Sequence, residues 1–359
     1  MIFRLGELFC GPGGLAYGAL QAGFVSKKGE EFAVKHAFAT DIDRSACDTY
    51  IRNICAGEGE HVYCGDIRDI IKKRKFPDID ALAFGFPCND YSIVGEQKGV
   101  KGAFGPLYIY GKKVLDRKNP KWFIAENVGG LQSADEGKTL QKILRDLKGA
   151  GPGYELTTHL YKFEEYGVPQ RRHRIIIVGI SSKEKLKFKV PSPTTKDALI
   201  SAKMAIENPP IPHDAANNER TKQSKRVIER LSWIEEGENA WSKKIPQHLR
   251  LNVKGAFLSQ IYRRLKADEP AYTITGSGGG GTHGYHWREN RALTNRERAR
   301  LQTFPDSFVF EGPKEQVRKQ IGMAVPPEGA KIIIGAILKT FAGIEYNHVR
   351  AHWDIEDED

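Results

Sequence analysis

The chain is poor in cysteine: Cys10, Cys47, Cys55, Cys64 and Cys88 are the only five among 359 residues. Their number is odd and no two form a CxxC pair, which argues against a disulfide framework or a zinc site. No metal is expected. Long apolar runs are also missing, since "RIIIVGI" and "KIIIGAIL" are far too short to span a bilayer. The opening "MIFRLGELFCGPGG" has no basic start, apolar core or small-residue cleavage site of the kind that marks a signal peptide. Together these absences predict a protein of a reducing cytoplasm. No internal repeat is evident.

What is present begins with charge. Residues 181–266 carry 18 Lys and Arg against 9 Asp and Glu, so they hold nearly all of the chain's net charge of +10. Positive charge gathered in one segment is the footprint of a polyanion-binding surface, because each neutralised phosphate releases a counterion. A solvated lysine-rich surface would look the same.

The first half alternates apolar strands with amphipathic helices. "IFRLGELF", "VKHAFATDID", "DIDALAFGF" and "KWFIAENV" read as strands. "LAYGALQAG", "RSACDTYIRNI", "PLYIYGKKVLDRK" and "GKTLQKILRDLKG" read as the helices between them. "YELTTHLYKF" and "HRIIIVGI" close the series as an antiparallel pair. That alternation predicts an α/β fold, an open and mostly parallel sheet with helices on both faces. Ligands of such sheets bind outside the carboxyl ends of the strands. After Ile180 the breaker clusters "VPSPTT" and "NPPIPHDAANN" introduce a smaller, less regular domain. The expected division is 1–180, 181–310, and 311–359 returning to the first domain through the apolar helix "GAKIIIGAILKTFAG". The acidic end "DIEDED" reads as disordered.

Three strand ends in succession offer contacts to a nucleoside. Gly11-Pro12-Gly13-Gly14 follows the first strand and opens a helix, where glycines let a backbone approach a nucleotide closely. Through Ala16 the spacing also satisfies GxGxxA, so a nicotinamide dehydrogenase enters consideration. Asp41 ends the second strand, where an acid would grip ribose hydroxyls, and apolar Ile42 follows. Asp66 of "GDIRDI" ends the next strand, where a carboxylate can accept from an adenine amino group. Farther along, "GFPCNDYS" puts Cys88 behind a proline in a turn, not inside an apolar element. "FIAENVGGL" sets Glu126 at a strand end, and "QRRHR" puts Arg172 and Arg174 on one strand face. Cysteine, carboxyl and arginines at neighbouring sheet ends could form one pocket.

These segments, in this order, resemble the DNA (cytosine-5)-methyltransferases of prokaryotic and viral restriction–modification systems. "ELFCGPGGL", "TDID" and "GDI" look like the cofactor turns, "GFPCNDYSIVGEQKG" the nucleophile loop, "ENV" the glutamate motif and "QRRHR" the QxRxR motif. "RRLKADEPAYTITGSGGGGTHGYH", "LTNRERARLQTFPDSF" and "QIGMAVPP" match the remainder, leaving 181–262 unmatched. The resemblance implies a Rossmann-like class I S-adenosylmethionine-dependent sheet with a smaller target-recognition domain. Cys88 would be the nucleophile, adding to carbon 6 of a flipped cytosine so that carbon 5 can attack a sulfonium methyl. Glu126 would bind and protonate ring nitrogen 3. Arg172 would stabilise the addition intermediate and the base carbonyl, and Arg174 would orient the loop and neighbouring carboxylates. S-adenosylmethionine, leaving as S-adenosylhomocysteine, would lie on Phe9, Pro12, Gly14, Asp41, Ile42, Asp66, Ile67, Pro87 and Leu107. Duplex DNA would meet Ser92, Gln97, Gly278 and Gly279, and a monomer is expected beside a separate cognate endonuclease.

Three positions depart from the family pattern: Asn89 for a more frequent glutamine, Val94 for a small polar residue and Met323 for an asparagine. A tRNA cytosine methyltransferase and a catalytically silent DNA-binding module are the competing readings. The large basic segment and the intact Cys88 and Glu126 favour the DNA enzyme.

Overall fold

The computed structural model describes residues 1–86, 107–252, 258–276 and 281–353. The acidic tail 354–359 and the loop around Cys88 lie outside these residues. The chain divides into two compact units. The first comprises Met1–Phe163, His173–Pro193 and Pro327–Asp359, and the second Glu164–Arg172 and Thr194–Pro326.

In the first unit, β1 (Ile2–Leu8) runs into α1 (Gly14–Leu20), and β2 (Phe24–Val25) turns back into β3 (Glu31–Asp41). α2 (Arg44–Ile54), β4 (Val62–Cys64), α3 (Ile67–Lys73), β5 (Ala81–Gly85) and α4 (Tyr108–Lys118) follow. Then come β6 (Trp122–Val128), α5 (Lys138–Lys148), β7 (Tyr154–Lys162) and β8 (His173–Ser181). Hydrogen bonding orders the sheet β2-β3-β1-β5-β6-β8-β7, with β4 also on β3. β1, β3, β4, β5 and β6 are mutually parallel, and β8 runs antiparallel to both β6 and β7. The parallel strands therefore end on one side, at Leu8, Asp41, Cys64, Gly85 and Val128.

Residue pattern explains these elements. Ile175, Ile176, Ile177 and Val178 of β8 are all buried, as expected of a β-branched run covered on both faces. In α5, Leu140, Ile143, Leu144 and Leu147 recur at three- and four-residue spacing and all face the core. Asp43 caps α2 by accepting from the amides of Ser45 and Ala46, an arrangement worth about 1 kcal/mol.

The helix expected near the end, α10 (Pro327–Phe341), buries Ala330, Ile333, Ile334, Ile337 and Leu338. It lies against α1, where Gly18 has no side chain to collide with the Pro327 carbonyl and Ala330. Lys314–Phe341 is apolar enough for a membrane span by composition. The backbone nevertheless breaks at Ala324, which is extended and separates α10 from α9 (Lys314–Met323).

The second unit holds α6 (Ala202–Glu207), α7 (Lys225–Ser232), α8 (Asn295–Leu301) and α9, with little strand among its described residues. Arginine forks do much of the work that a strand ladder does elsewhere. Arg264 donates to the carbonyls of His286, Glu289 and Leu231, and Arg296 to those of Ala216, Pro305 and Phe308. Both side chains are buried, where an unpaired carbonyl would be costly.

The units differ from the three segments expected from sequence. Residues 181–193 stay with the first unit because β9 (Val190–Pro191) pairs with β10 (His348–Val349), and Thr157 donates to the Phe188 carbonyl. Residues 314–323 belong to the second because α9 packs on α8. Residues 164–172 join it as well: Gln170 bridges to Ala271.

Candidate active site

The loop after β1 is built on left-handed backbone. Phe9, Gly11 and Gly13 have φ of 56°, 53° and 92°. For Phe9 that conformation costs about 1 kcal/mol or more, a strain typical of ligand-binding turns. Gly13 is required twice over, since a Cβ there would also press on Tyr50 and Ile54. Asp41 holds the loop in place. Its Oδ2 accepts from the Gly11 amide at 2.8 Å and its Oδ1 from the Asp43 amide at 2.9 Å. Burial pushes the Asp41 carboxyl above its ordinary range, and those two amides pull it part of the way back. A third amide, that of Ile42, also donates to this carboxyl, which leaves about one of its four lone-pair sites for a ligand hydroxyl. Beside it Ile42 is 71% exposed, an apolar side chain standing free at a strand end.

The other expected cofactor residues differ in character. Asp66 caps α3 through the Arg68 amide and accepts from the Arg68 guanidinium at 2.9 and 2.5 Å. That pairing holds its carboxyl below the usual range, and any adenine amino group must share it with Arg68. Ile67 is buried in the core, so its side chain is committed to packing. Pro12 and Gly14 are buried within the turn, and Leu107, half-buried, leads into α4.

The second cluster sits at the ends of β5 and β6. Glu126 pairs in register with Gly85 on one side. From β8, on the other side, the Arg174 Nε donates to Glu126 Oε1 at 2.9 Å. Both side chains are only 13% exposed. Next along β6, the buried Asn127 donates from Nδ2 to the carbonyl of Phe86 at 3.3 Å. Phe86 directly precedes Pro87 and Cys88. Glu126 and the backbone leading to the cysteine are thus tied to the same strand end. Pro87, Cys88, Asn89, Ser92, Val94, Gln97, Gly278 and Gly279 lie outside the described residues.

A family model described as C-5 cytosine-specific DNA methylase matches residues 3–339. The chain belongs to that family. It is 61% identical to the type II methyltransferase M.BbvI of Brevibacillus brevis, covering 99% of this chain and 96% of that protein. Identity to the type II methyltransferase M.NgoFVII of Neisseria gonorrhoeae is 40%, over 98% and 90% of the two chains. Among solved structures, a DNA modification methyltransferase encoded within an E. coli prophage superposes with a TM-score of 0.70. The identity there is 22%, over 94% of this chain and 99% of that one, so the likeness concerns the fold. The fold is the Rossmann-like sheet expected, and the activity is DNA (cytosine-5-)-methyltransferase.

The structure of the methylase corrects the reading of its arginine pair. β8 begins at His173, so Arg172 precedes the strand instead of sharing a face of it with Arg174. Arg172 belongs to the second unit and is 1% exposed. Its two terminal nitrogens donate to the carbonyls of Ile274 and Gly322 at 3.3 and 3.1 Å. Neighbouring Gln170 is stitched in similarly, accepting from the Ile274 amide and donating to the Leu301 carbonyl. A guanidinium so enclosed and so engaged braces the second unit through its two terminal nitrogens.

Two residues of the methylase escaped sequence reasoning. Asn127 lay in plain view inside "ENV", but a hydrogen bond to a residue 41 positions away has no local signature. Glu7, one residue before the end of β1, is almost fully buried, with Oε2 unpartnered and Tyr50 as its hydrogen-bond partner. Burial pushes its carboxyl up to about 8. Alternating burial along β1 was the available signal, since it puts position 7 on the same face as Leu5. Among the described residues, no group of three His, Cys, Asp or Glu could hold a metal ion.

Proposed function

We propose that the methylase transfers a methyl group from S-adenosylmethionine to carbon 5 of a flipped-out cytosine in a specific duplex site, through a Cys88 adduct. The observation that carries this reading is the Glu126–Arg174 pair, seated one strand from the backbone that leads into Cys88. The cofactor fits the other cluster: a strained glycine loop, an acid with a spare lone pair at Asp41 and exposed Ile42 for the adenine face. When bound there, S-adenosylmethionine supplies an electrophilic methyl on a sulfonium.

The protein's residues supply the rest. The Cys88 thiolate forms a bond to carbon 6, and the displaced ring electron pair makes carbon 5 nucleophilic. Glu126 hydrogen-bonds ring nitrogen 3 and the exocyclic amine, supplying the proton that keeps charge off the ring. Arg174 fixes the carboxyl's rotamer. After methylation, loss of the carbon-5 proton to solvent and return of the nitrogen-3 proton to Glu126 expel the Cys88 thiolate and restore the aromatic ring. Carbon 6 is unreachable inside a stacked duplex, so the base must be extruded at a cost of a few kcal/mol. The basic second unit, acting on the duplex as a monomer, would supply phosphate contacts, and binding should weaken steeply with salt. The two type II relatives favour a modification role beside a separate endonuclease.

Incubation with tritiated S-adenosylmethionine and duplex DNA, followed by base analysis, is expected to place all label in 5-methylcytosine. Label in adenine, in RNA alone, or nowhere would overturn the reading. Asp41→Ala should weaken S-adenosylmethionine binding by about ten- to a hundredfold, since it removes a hydroxyl acceptor and the acceptor that holds Gly11. Equilibrium binding checks this; unchanged affinity would mean that the ribose lies elsewhere.

A further inference from the structure

Gly85 is the last residue of β5 and the parallel-strand partner of Glu126. Its backbone does not explain why it is glycine. Gly13 and others have positive φ, but Gly85 is not among them, so any residue could adopt its conformation. Glycine inside a strand also weakens the strand, because its freedom in the unfolded chain is large and it packs nothing. What the position requires is the absence of atoms. A Cβ built at Gly85 would lie 3.1 Å from Glu126 Oε2, closer than such carbons ordinarily come to an oxygen. At paired positions of a parallel sheet, side chains emerge on the same face, which is why this clash arises.

The Glu126 carboxyl is therefore bracketed. Oε1 is held from β8 by the Arg174 Nε at 2.9 Å, and Oε2 overhangs the bare backbone of β5. A methyl group at 85 would press Oε2 outward by a few tenths of an ångström. With Cβ fixed by the sheet, the carboxyl could yield only by rotating, which spoils the angle of the Arg174 hydrogen bond as well. The geometry points to Gly85 as a positioning residue for methyl transfer: its missing side chain keeps Glu126 Oε2 unobstructed and lets Arg174 set the carboxyl's orientation. This rests on the role proposed for Glu126.

The test is a double-mutant cycle on the full-length protein, read by single-turnover kinetics on duplex DNA, S-adenosylmethionine affinity and melting temperature. Gly85→Ala should lower the methyl-transfer rate ten- to a hundredfold, with cofactor affinity and melting temperature nearly unchanged. In the Glu126→Gln background the same substitution should cost at most a further twofold, because it acts through a carboxyl already removed. Full activity in Gly85→Ala, losses that multiply across the cycle, or a parallel loss of cofactor affinity would each overturn the inference. If Glu126→Gln alone were fully active, the proposed role of Glu126 would fall, and the inference with it. If Glu126→Gln were impaired but Gly85→Ala were not, only the inference would fall.

Discussion

A Cys88→Ser variant will bind S-adenosylmethionine and DNA about as well as the parent and transfer no detectable methyl group. The substitution is nearly isosteric and alters no described residue proposed for the cofactor or for Glu126's role. The chemistry does not survive it. A cysteine thiol near its free pKa of about 8.5 is a few per cent thiolate at neutral pH and intrinsically very nucleophilic. A serine hydroxyl offers almost no alkoxide, and carbon 6 of an unactivated cytosine is a weak electrophile. DNA carrying 5-fluorocytosine gives the sharper readout. Fluorine cannot leave carbon 5 as a proton does, so the Cys88 adduct should persist as a denaturant-stable band in the parent. It should be absent from the variant. A band that persists in Cys88→Ser would assign the nucleophile to another residue.

Glu126→Gln is expected to reduce the methyl-transfer rate by about a hundred- to ten-thousandfold, the usual range for losing a positioned acid–base group. Glutamine is the informative choice. Its amide oxygen can still accept from Arg174 at the 2.9 Å position, so the buried guanidinium keeps a partner. Alanine would leave that charge at 13% exposure with the His173 carbonyl but no carboxylate, and breaking a largely buried pair costs about 3–5 kcal/mol of stability, which confounds the kinetics. Cofactor affinity should not move, because none of the described residues proposed for the cofactor is bonded to this pair. A Gln variant within a fewfold of the parent would show that ring nitrogen 3 is served by another group.

Much of this site was legible because its signals are local. The glycine turn after β1 and the acids at the ends of β3 and β4 are fixed by strand periodicity and turn chemistry within a dozen residues. Glu126 was legible for the same reason. Arg172 and Arg174 show where such reasoning stops: alternation assigns them one face, but the strand starts between them and the chain changes unit there. Pairing of β9 with β10 joins residues more than 150 positions apart, and nothing near either strand announces it. Charge misleads in another way. Arg230 and Arg264 were counted toward a polyanion-binding surface, yet both are buried and donate to carbonyls of their own unit. The exposed charge of 181–266 is smaller than its composition implies.

Those inward-facing arginines have a consequence for how this protein can change. A strand ladder has a register, and one inserted residue turns every following side chain to the opposite face. An arginine fork closes on carbonyls at single points, as Arg264 does on residues 231, 286 and 289. Chain between such pins can lengthen or shorten without shifting anything beyond them. The second unit is in this respect a pinned framework whose spans are exchangeable, while the sheet carrying Glu126 admits no slippage. A change of length between two pins in that unit leaves the strand register around Glu126 as it was.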